Sequence, residues 1–252
     1  MAINGTEGAG TVPAVFRQTV ARLGDRTALR HKALGLWNDT SWRQYLAQAE
    51  QVGAALMAMG LEKGDRVAII GDNCPAWVVA DLGTQCAGGV SVGVYATNAW
   101  QQVAYVIEHS DARIFFVENE EQLDKWLHFK DQVPTLEAVV IWDTEGLRDF
   151  TDSLLVTWDE LLKKGAAALA EDPEMIRRRG DTLTPEDLAV LIYTSGTTGP
   201  PKGAMLSHGN VTWMADAESL PPQPRARSLQ AAADGTDIET GCVSADASRY
   251  DR

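Results

Sequence analysis

The sequence predicts an α/β fold, a largely parallel sheet flanked by helices. Two observations point there. From residue 12 to about 193, amphipathic stretches of helix length alternate with short β-branched runs. Those runs are apolar along their whole length, as strands covered on both faces are. Taking the elements in order, residues 41–59 are the clearest helix: Trp42, Tyr45, Leu46, Ala49, Val52, Leu56 and Met59 recur at three- and four-residue spacing, and Gly60 stands where the helix should be capped. Residues 66–71 follow as a strand. Pro75 then opens a helix carrying Trp77, Val78, Ala80, Leu82 and Cys86. Strands are expected at 90–94, 113–117 and 136–142, with helices at 99–109 and 120–130 between them. Residues 172–187, polar and holding two prolines, read as a surface connection, and the charge run Arg177–Arg179 within it as a solvated face. Residues 188–193 read as a further buried strand. Strand–helix–strand units cross over right-handed, so their loops gather at one end of the sheet, where open α/β folds place ligands. No repeat of fixed period is present.

Composition narrows the function classes. The 252 residues carry 22 Lys and Arg against 35 Asp and Glu, a net charge of −13. A chain this acidic lacks the electrostatic footprint of nucleic-acid binding, and no nucleic-acid partner is expected. The longest apolar runs are short, such as Val67–Ile70, far below the roughly 18 residues of a membrane span. The start carries no basic and apolar leader pattern, so a cytoplasmic location is expected. Cys74, Cys86 and Cys242 are odd in number and without Cys-x-x-Cys spacing, which argues against a disulfide framework or a thiolate zinc site. His31, His109, His128 and His208 form no His-x-x-x-His pair.

The chemistry sits in one loop. The run 188–193 leads directly into Thr194-Ser-Gly-Thr-Thr-Gly-Pro-Pro-Lys-Gly203. Gly196, Gly199 and Gly203 let backbone N–H groups converge on an anion with no Cβ in the way. Thr194, Ser195, Thr197 and Thr198 add hydroxyl donors, Lys202 adds a point charge on a long stem, and Pro200 and Pro201 stiffen the segment. A Walker A loop would need Gly-x-x-x-x-Gly-Lys-Ser/Thr opening a helix, but Lys202 follows a proline and leads into Gly-Ala-Met-Leu-Ser207 with no helix start. The dinucleotide Gly-x-Gly-x-x-Gly spacing is absent from the loop too. A flexible Gly/Thr-rich turn with an exposed lysine is the bland alternative, and the order of ten residues straight after an apolar strand weighs against it.

Residues 193–203, Tyr-Thr-Ser-Gly-Thr-Thr-Gly-Pro-Pro-Lys-Gly, resemble the phosphate-binding signature of the AMP-forming adenylate synthetases, the superfamily of acyl-CoA synthetases, firefly luciferase and peptide-synthetase adenylation domains. Gly64-Asp-Arg-Val-Ala-Ile69, Asp72-Asn73, Trp77, residues 87–97, Phe116-Val-Glu-Asn119 and Leu206-Ser-His-Gly-Asn210 look like the long-chain fatty acyl-CoA synthetase branch. The resemblance covers roughly residues 12–220. It implies a two-step reaction, in which a fatty acid and ATP give acyl-AMP and pyrophosphate, and CoA then displaces AMP. On this resemblance Thr194, Ser195, Gly196, Thr197, Thr198, Gly199 and Lys202 bind the nucleotide's β- and γ-phosphates. Thr197 is the candidate protein contribution to Mg2+. His208 is not counted as a ligand, since a helix N-terminus at 207–210 explains it as well.

The pattern stops short of the family's remaining motifs. Counterparts of its Leu-Pro-Leu-x-His and Tyr-Gly-x-Thr-Glu segments, its hinge and its C-terminal catalytic lysine are not found, so no catalytic residue is expected in this chain. Residues 221–252 hold Leu229, Ile238, Val243 and Tyr250 as their large non-cysteine apolar side chains, and they read as a disordered tail outside the family pattern. The expectation is an incomplete N-terminal domain (1–220), inactive as written, with a frameshift or premature stop and a natural short isoform as competing accounts. Its small-molecule partners would be ATP, fatty acid and CoA. Contact at a membrane periphery and association through exposed sheet edges are left open. The alternative functions are a non-catalytic nucleotide-binding module and a non-functional product.

Overall fold

A computed structural model describes residues 10–147, 150–194 and 200–219. Helix α1 (Val12–Leu23) is capped by Thr11 and followed by Gly24 at φ 54. A two-stranded antiparallel ribbon comes next, β1 (Thr27–Ala33) and β2 (Leu36–Ser41). Its turn puts Leu34 (φ 50) and Gly35 (φ 82) both in the left-handed region, which suits the twist of a tight hairpin.

Helix α2 (Trp42–Ala58) begins where the pattern predicts, because Ser41 and Gln44 close a capping box: Gln44 N–H donates to Ser41 Oγ at 3.2 Å and Ser41 N–H to Gln44 Oε1 at 2.8 Å. Its cap is Met59, and Gly60 at φ 92 turns the chain away. The alternation then runs as expected through β3 (Arg66–Ile70), α3 (Pro75–Cys86), β4 (Val90–Val94), α4 (Trp100–Ser110), β5 (Ala112–Val117), α5 (Glu120–Leu127) and β6 (Ala138–Ile141). After these come β7 (Leu155–Thr157), α6 (Trp158–Glu171), α7 (Met175–Gly180), β8 (Leu188–Thr194), β9 (Lys202–Ser207) and α8 (His208–Ser219).

Seven strands form one sheet in the order β7-β6-β5-β3-β4-β8-β9, parallel throughout except for the antiparallel β8–β9 pair. Successive side chains point to opposite faces, so β5 sends Phe115 to one layer and Phe116 to the other. The first layer packs Phe115, Val92 and Val139 with Ile107 of α4 and Trp126 of α5. The second packs Phe116, Ile69 and Val140 with Leu56 of α2 and Leu161 of α6. Burial on both sides is why these strands read as continuous apolar runs.

Two expectations need correction. The segment 172–187 is not only a surface connection: it folds into α7, whose Ile176 is buried against α2 and α3. The charge run stays on the outer side, with Arg178 Nη1 donating to Asp172 Oδ1 at 2.9 Å, while the apolar Met175 and Ile176 pack inward. Strand β8 is not buried throughout, since Ala189 and Tyr193 are its only buried residues and Ile192 is 40% exposed. Helix α8 meets β8 at its start, where His208 N–H donates to Asp187 O, and the far end of that face stays uncovered. Met205 of β9 (64% exposed), beside Leu191 on the opposite face from Ile192, and Trp213 of α8 (69%) are further exposed apolar side chains at this sheet edge. Among the described residues no helix is long and apolar enough to cross a membrane. The tail 221–252 lies outside the described residues.

Candidate functional site

Strand β8 lies parallel to β4, with Ser91, Val92 and Gly93 opposite Val190, Leu191 and Ile192. Its C-terminal end therefore reaches the same rim as the other parallel strands, where open α/β sheets bind ligands. The chain returns from that rim as β9, antiparallel to β8, with Thr194 paired to Lys202 and Tyr193 to Gly203. The loop singled out in the sequence is thus the connection of a β-hairpin. Thr194 and Lys202, eight residues apart in sequence, are cross-strand partners at its mouth and both are exposed. Lys202 opens a strand rather than a helix, which agrees with setting Walker A aside. Ser195, Gly196, Thr197, Thr198 and Gly199 lie outside the described residues, and with them the candidate magnesium contact of Thr197.

The base of the hairpin is held by aromatic packing. Tyr193 is buried and lies across Gly203, where an added Cβ would meet its Cζ at 3.3 Å, so a bare Cα suits this pairing. Its hydroxyl shares a hydrogen bond of 2.8 Å with His109 Nδ1. Burial holds the Tyr193 phenol above its ordinary pKa, keeping it protonated. Tyr105, one turn before His109 on α4, donates through its hydroxyl to Pro201 O at 3.1 Å. Sequence reading did not single out Tyr105, and it counted His109 only among scattered histidines.

Elsewhere on the rim, Glu118 Oε2 accepts from Asp72 N–H at 2.8 Å, and Ala96 O accepts from Lys125 Nζ at 2.5 Å. Among the described residues no group of three or more His, Cys, Asp or Glu side chains could hold a metal ion by itself. The Thr194 hydroxyl and the Lys202 ammonium at the hairpin mouth are a donor set that fits an anion rather than a bare metal cation.

The residues after β9 fold as a helix start. Ser207 Oγ accepts from Asn210 N–H at 3.2 Å, while Asn210 Oδ1 accepts from Ser207 N–H at 3.1 Å. His208 itself is fully buried, and its Nδ1 accepts from Val12 N–H at 3.4 Å, tying α8 to the start of α1. Its Nε2, also buried, has no hydrogen-bond partner among the described residues. Burial, with a smaller push from Lys63 against a pull from Asp187, holds the imidazole below its ordinary 6.5. The unfolded chain then binds the proton more readily, so stability falls as pH drops through 6.5. Asp187, held low by Lys63 at 2.8 Å and Thr184 N–H at 2.7 Å, adds a second loss as pH falls through the carboxylate range. Urea unfolding between pH 7 and 5 is expected to show stability falling as pH drops, with His208 contributing at most about 1.4 kcal/mol per pH unit. His208→Gln should flatten that slope; an equally steep slope in the variant contradicts the assignment.

The family model for AMP-binding enzymes matches residues 16–236. The chain belongs to this family. Among curated relatives, it is similar to the long-chain-fatty-acid–CoA ligase ACSBG2 of Xenopus laevis, 38% identical over 207 residues, which is 82% of this chain and 27% of the relative. Human ACSBG2 is 36% identical over 208 residues, 82% of this chain and 30% of the relative. The chain thus spans less than a third of these relatives' length. Among solved structures, a putative long-chain-fatty-acid CoA ligase from Rhodopseudomonas palustris matches with a TM-score of 0.65 at 21% identity, over 82% of this chain and 47% of that one. The N-terminal domain of FACL13 from Mycobacterium tuberculosis matches with a TM-score of 0.65 at 20% identity, over 85% and 49%. The fold is that of the N-terminal domain of AMP-binding enzymes, and the largely parallel α/β sheet read from the sequence is its sheet.

Proposed function

We propose that this AMP-binding family chain carries the triphosphate-holding hairpin of a long-chain fatty acid–CoA ligase. The observation supporting this most directly is the pairing of Thr194 with Lys202 across the hairpin mouth, on either side of a loop rich in glycine and hydroxyl residues. In the proposed reaction a fatty acid carboxylate oxygen attacks the α-phosphorus of ATP, and the bond to pyrophosphate breaks. The thiolate of CoA then attacks the acyl carbonyl, and AMP leaves. Charge builds on the departing pyrophosphate in the first step, so the contribution asked of this hairpin is neutralisation and positioning. Lys202 supplies the positive charge, Thr194 a hydroxyl donor, and Mg2+, when bound with the nucleotide, further neutralises the phosphates. In this reading Ser195, Thr197 and Thr198 of the loop add hydroxyl donors for the β- and γ-phosphates, as the resemblance implies. A cytoplasmic location with peripheral access to membrane acyl chains goes with this reading.

Isothermal titration of the 252-residue chain with MgATP and with magnesium pyrophosphate tests it. Saturable binding is expected, weakened about tenfold or more by Lys202→Ala, since a hydrogen bond to a charged group contributes about 1.5–3 kcal/mol. Binding that is absent, or untouched by Lys202→Ala, overturns the reading. Pyrophosphate release on adding a long-chain fatty acid and CoA separates a catalytic chain from the alternative, a nucleotide-binding module without turnover.

A further inference from the structure

We propose that Tyr105 and His109 of α4 are positioning residues for the phosphate hairpin, an inference that rests on the reading of the hairpin given above. The two side chains sit four residues apart on one helix face and reach both feet of the same loop. Tyr105 holds Pro201, the residue immediately before Lys202, by the 3.1 Å hydrogen bond to its carbonyl. His109 holds Tyr193, the residue immediately before Thr194, through the 2.8 Å hydrogen bond to its hydroxyl. Each of the two residues paired across the hairpin mouth is therefore preceded by a residue fixed to α4.

Three features make this a directed support rather than incidental packing. Pro201 has no N–H, so its carbonyl is its only backbone polar group, and fixing that carbonyl fixes the peptide plane that leads into Lys202. The rings interlock: Tyr105 and His109 lie 5.3 Å apart at 30°, and His109 meets Tyr193 edge-on at 5.7 Å and 87°. Gly203, opposite Tyr193, leaves the space into which that phenol ring fits. Anchoring both feet lowers the conformational freedom the hairpin would lose on taking up an anion, which strengthens binding without any contact between α4 and the ligand.

The test uses the whole chain and conservative variants. Tyr105→Phe keeps the ring and removes the hydrogen bond; on the other foot Tyr193→Phe does the same to the bond with His109, and His109→Phe replaces the imidazole by an apolar ring. Each is expected to weaken magnesium pyrophosphate binding about fivefold per folded molecule, measured below the unfolding transition, while lowering stability by about 1 kcal/mol, the size of one ordinary hydrogen bond. Because Tyr105 acts through the placement of Lys202, its effect should vanish in the Lys202→Ala background, whereas general loosening would subtract equally from both backgrounds. Backbone amide exchange in the ligand-free chain reads the anchoring itself: Tyr105→Phe should speed exchange at Lys202 and Gly203 while leaving Ile69 and Ile70 unchanged. Unchanged exchange at the hairpin, or equal losses in both backgrounds, overturns the positioning role. A wild-type chain that does not bind pyrophosphate, yet shows the exchange difference, overturns the phosphate reading and leaves the anchoring as structure alone.

Discussion

Gly165→Ala is expected to cost about 3 kcal/mol or more of folding stability, far beyond what one added methyl group ordinarily does. A Cβ at Gly165 would stand 1.9 Å from the carbonyl oxygen of Gln51 and 2.8 Å from its carbon, a backbone contact that no side-chain rotation relieves. Helix α6 would have to back away from α2 by more than 1 Å, on the scale of ordinary carbon contacts near 3.5 Å. That retreat strains the hydrogen bond from Gln51 Nε2 to Leu162 O, now 2.9 Å, and withdraws Leu161 from its layer. The better helix propensity of alanine returns only about 1 kcal/mol. The same layer depends on a second close crossing, where a Cβ at Gly53 would meet Gly83 O at 2.8 Å, so α2 touches two neighbours through glycine. Gly93→Ala is the control, because its Cβ would find nothing nearer than Trp77 at 3.8 Å, and it should stay within about 1 kcal/mol of the parent. Urea midpoints of the two variants decide the matter, and equal midpoints would contradict the crossing geometry.

What the sequence shows of this fold follows from what each segment buries. The strands at 66–70, 90–94, 112–117 and 138–141 are covered on both faces and therefore announce themselves as apolar runs. Residues 41–59 are legible because a stripe at helical spacing coincides with a Ser41–Gln44 cap. The β1–β2 ribbon is not, since its residues are exposed or half-buried on both faces and leave no alternation to read. Helix α7 hides behind three arginines because a single side chain, Ile176, carries its burial. Strand β9 is concealed by its exposure, with Lys202, Ala204 and Met205 all facing solvent.

The site divides along the same line. Residue types in order around 194–203 point to an anion, and the resemblance sharpens that to a family. Whether Thr194 and Lys202 face each other depends on a return strand that the residues around Lys202 do not signal. Tyr105 and His109 are 96 and 84 residues from the groups they hold, a separation that only the crossover from β4 to β8 closes.

Phe116→Ala carries the other large expected effect, a loss of about 3–5 kcal/mol. Phe116 is fully buried on β5, which is hydrogen-bonded on both sides, to β3 through the Ile69 register and to β6 through the Val140 register. A strand fixed from both sides cannot move into the vacated space, and the facing Trp158 ring, 6.2 Å away at 67°, loses its edge contact. The cavity therefore stays open, the condition under which truncations cost most. Trp37→Ala removes a larger aromatic from a position 65% exposed on β2 and should change stability by about 0.5 kcal/mol or less, so burial rather than size sets the order. Two strands, β3 and β4, separate Phe116 from the β8–β9 hairpin. Pyrophosphate affinity per folded molecule should accordingly match the parent below the unfolding transition, with apparent binding falling only as the folded fraction does. A Phe116→Ala chain that is fully folded yet binds pyrophosphate more weakly would mean that the central strands transmit their packing to the hairpin, against the local control by α4 inferred above.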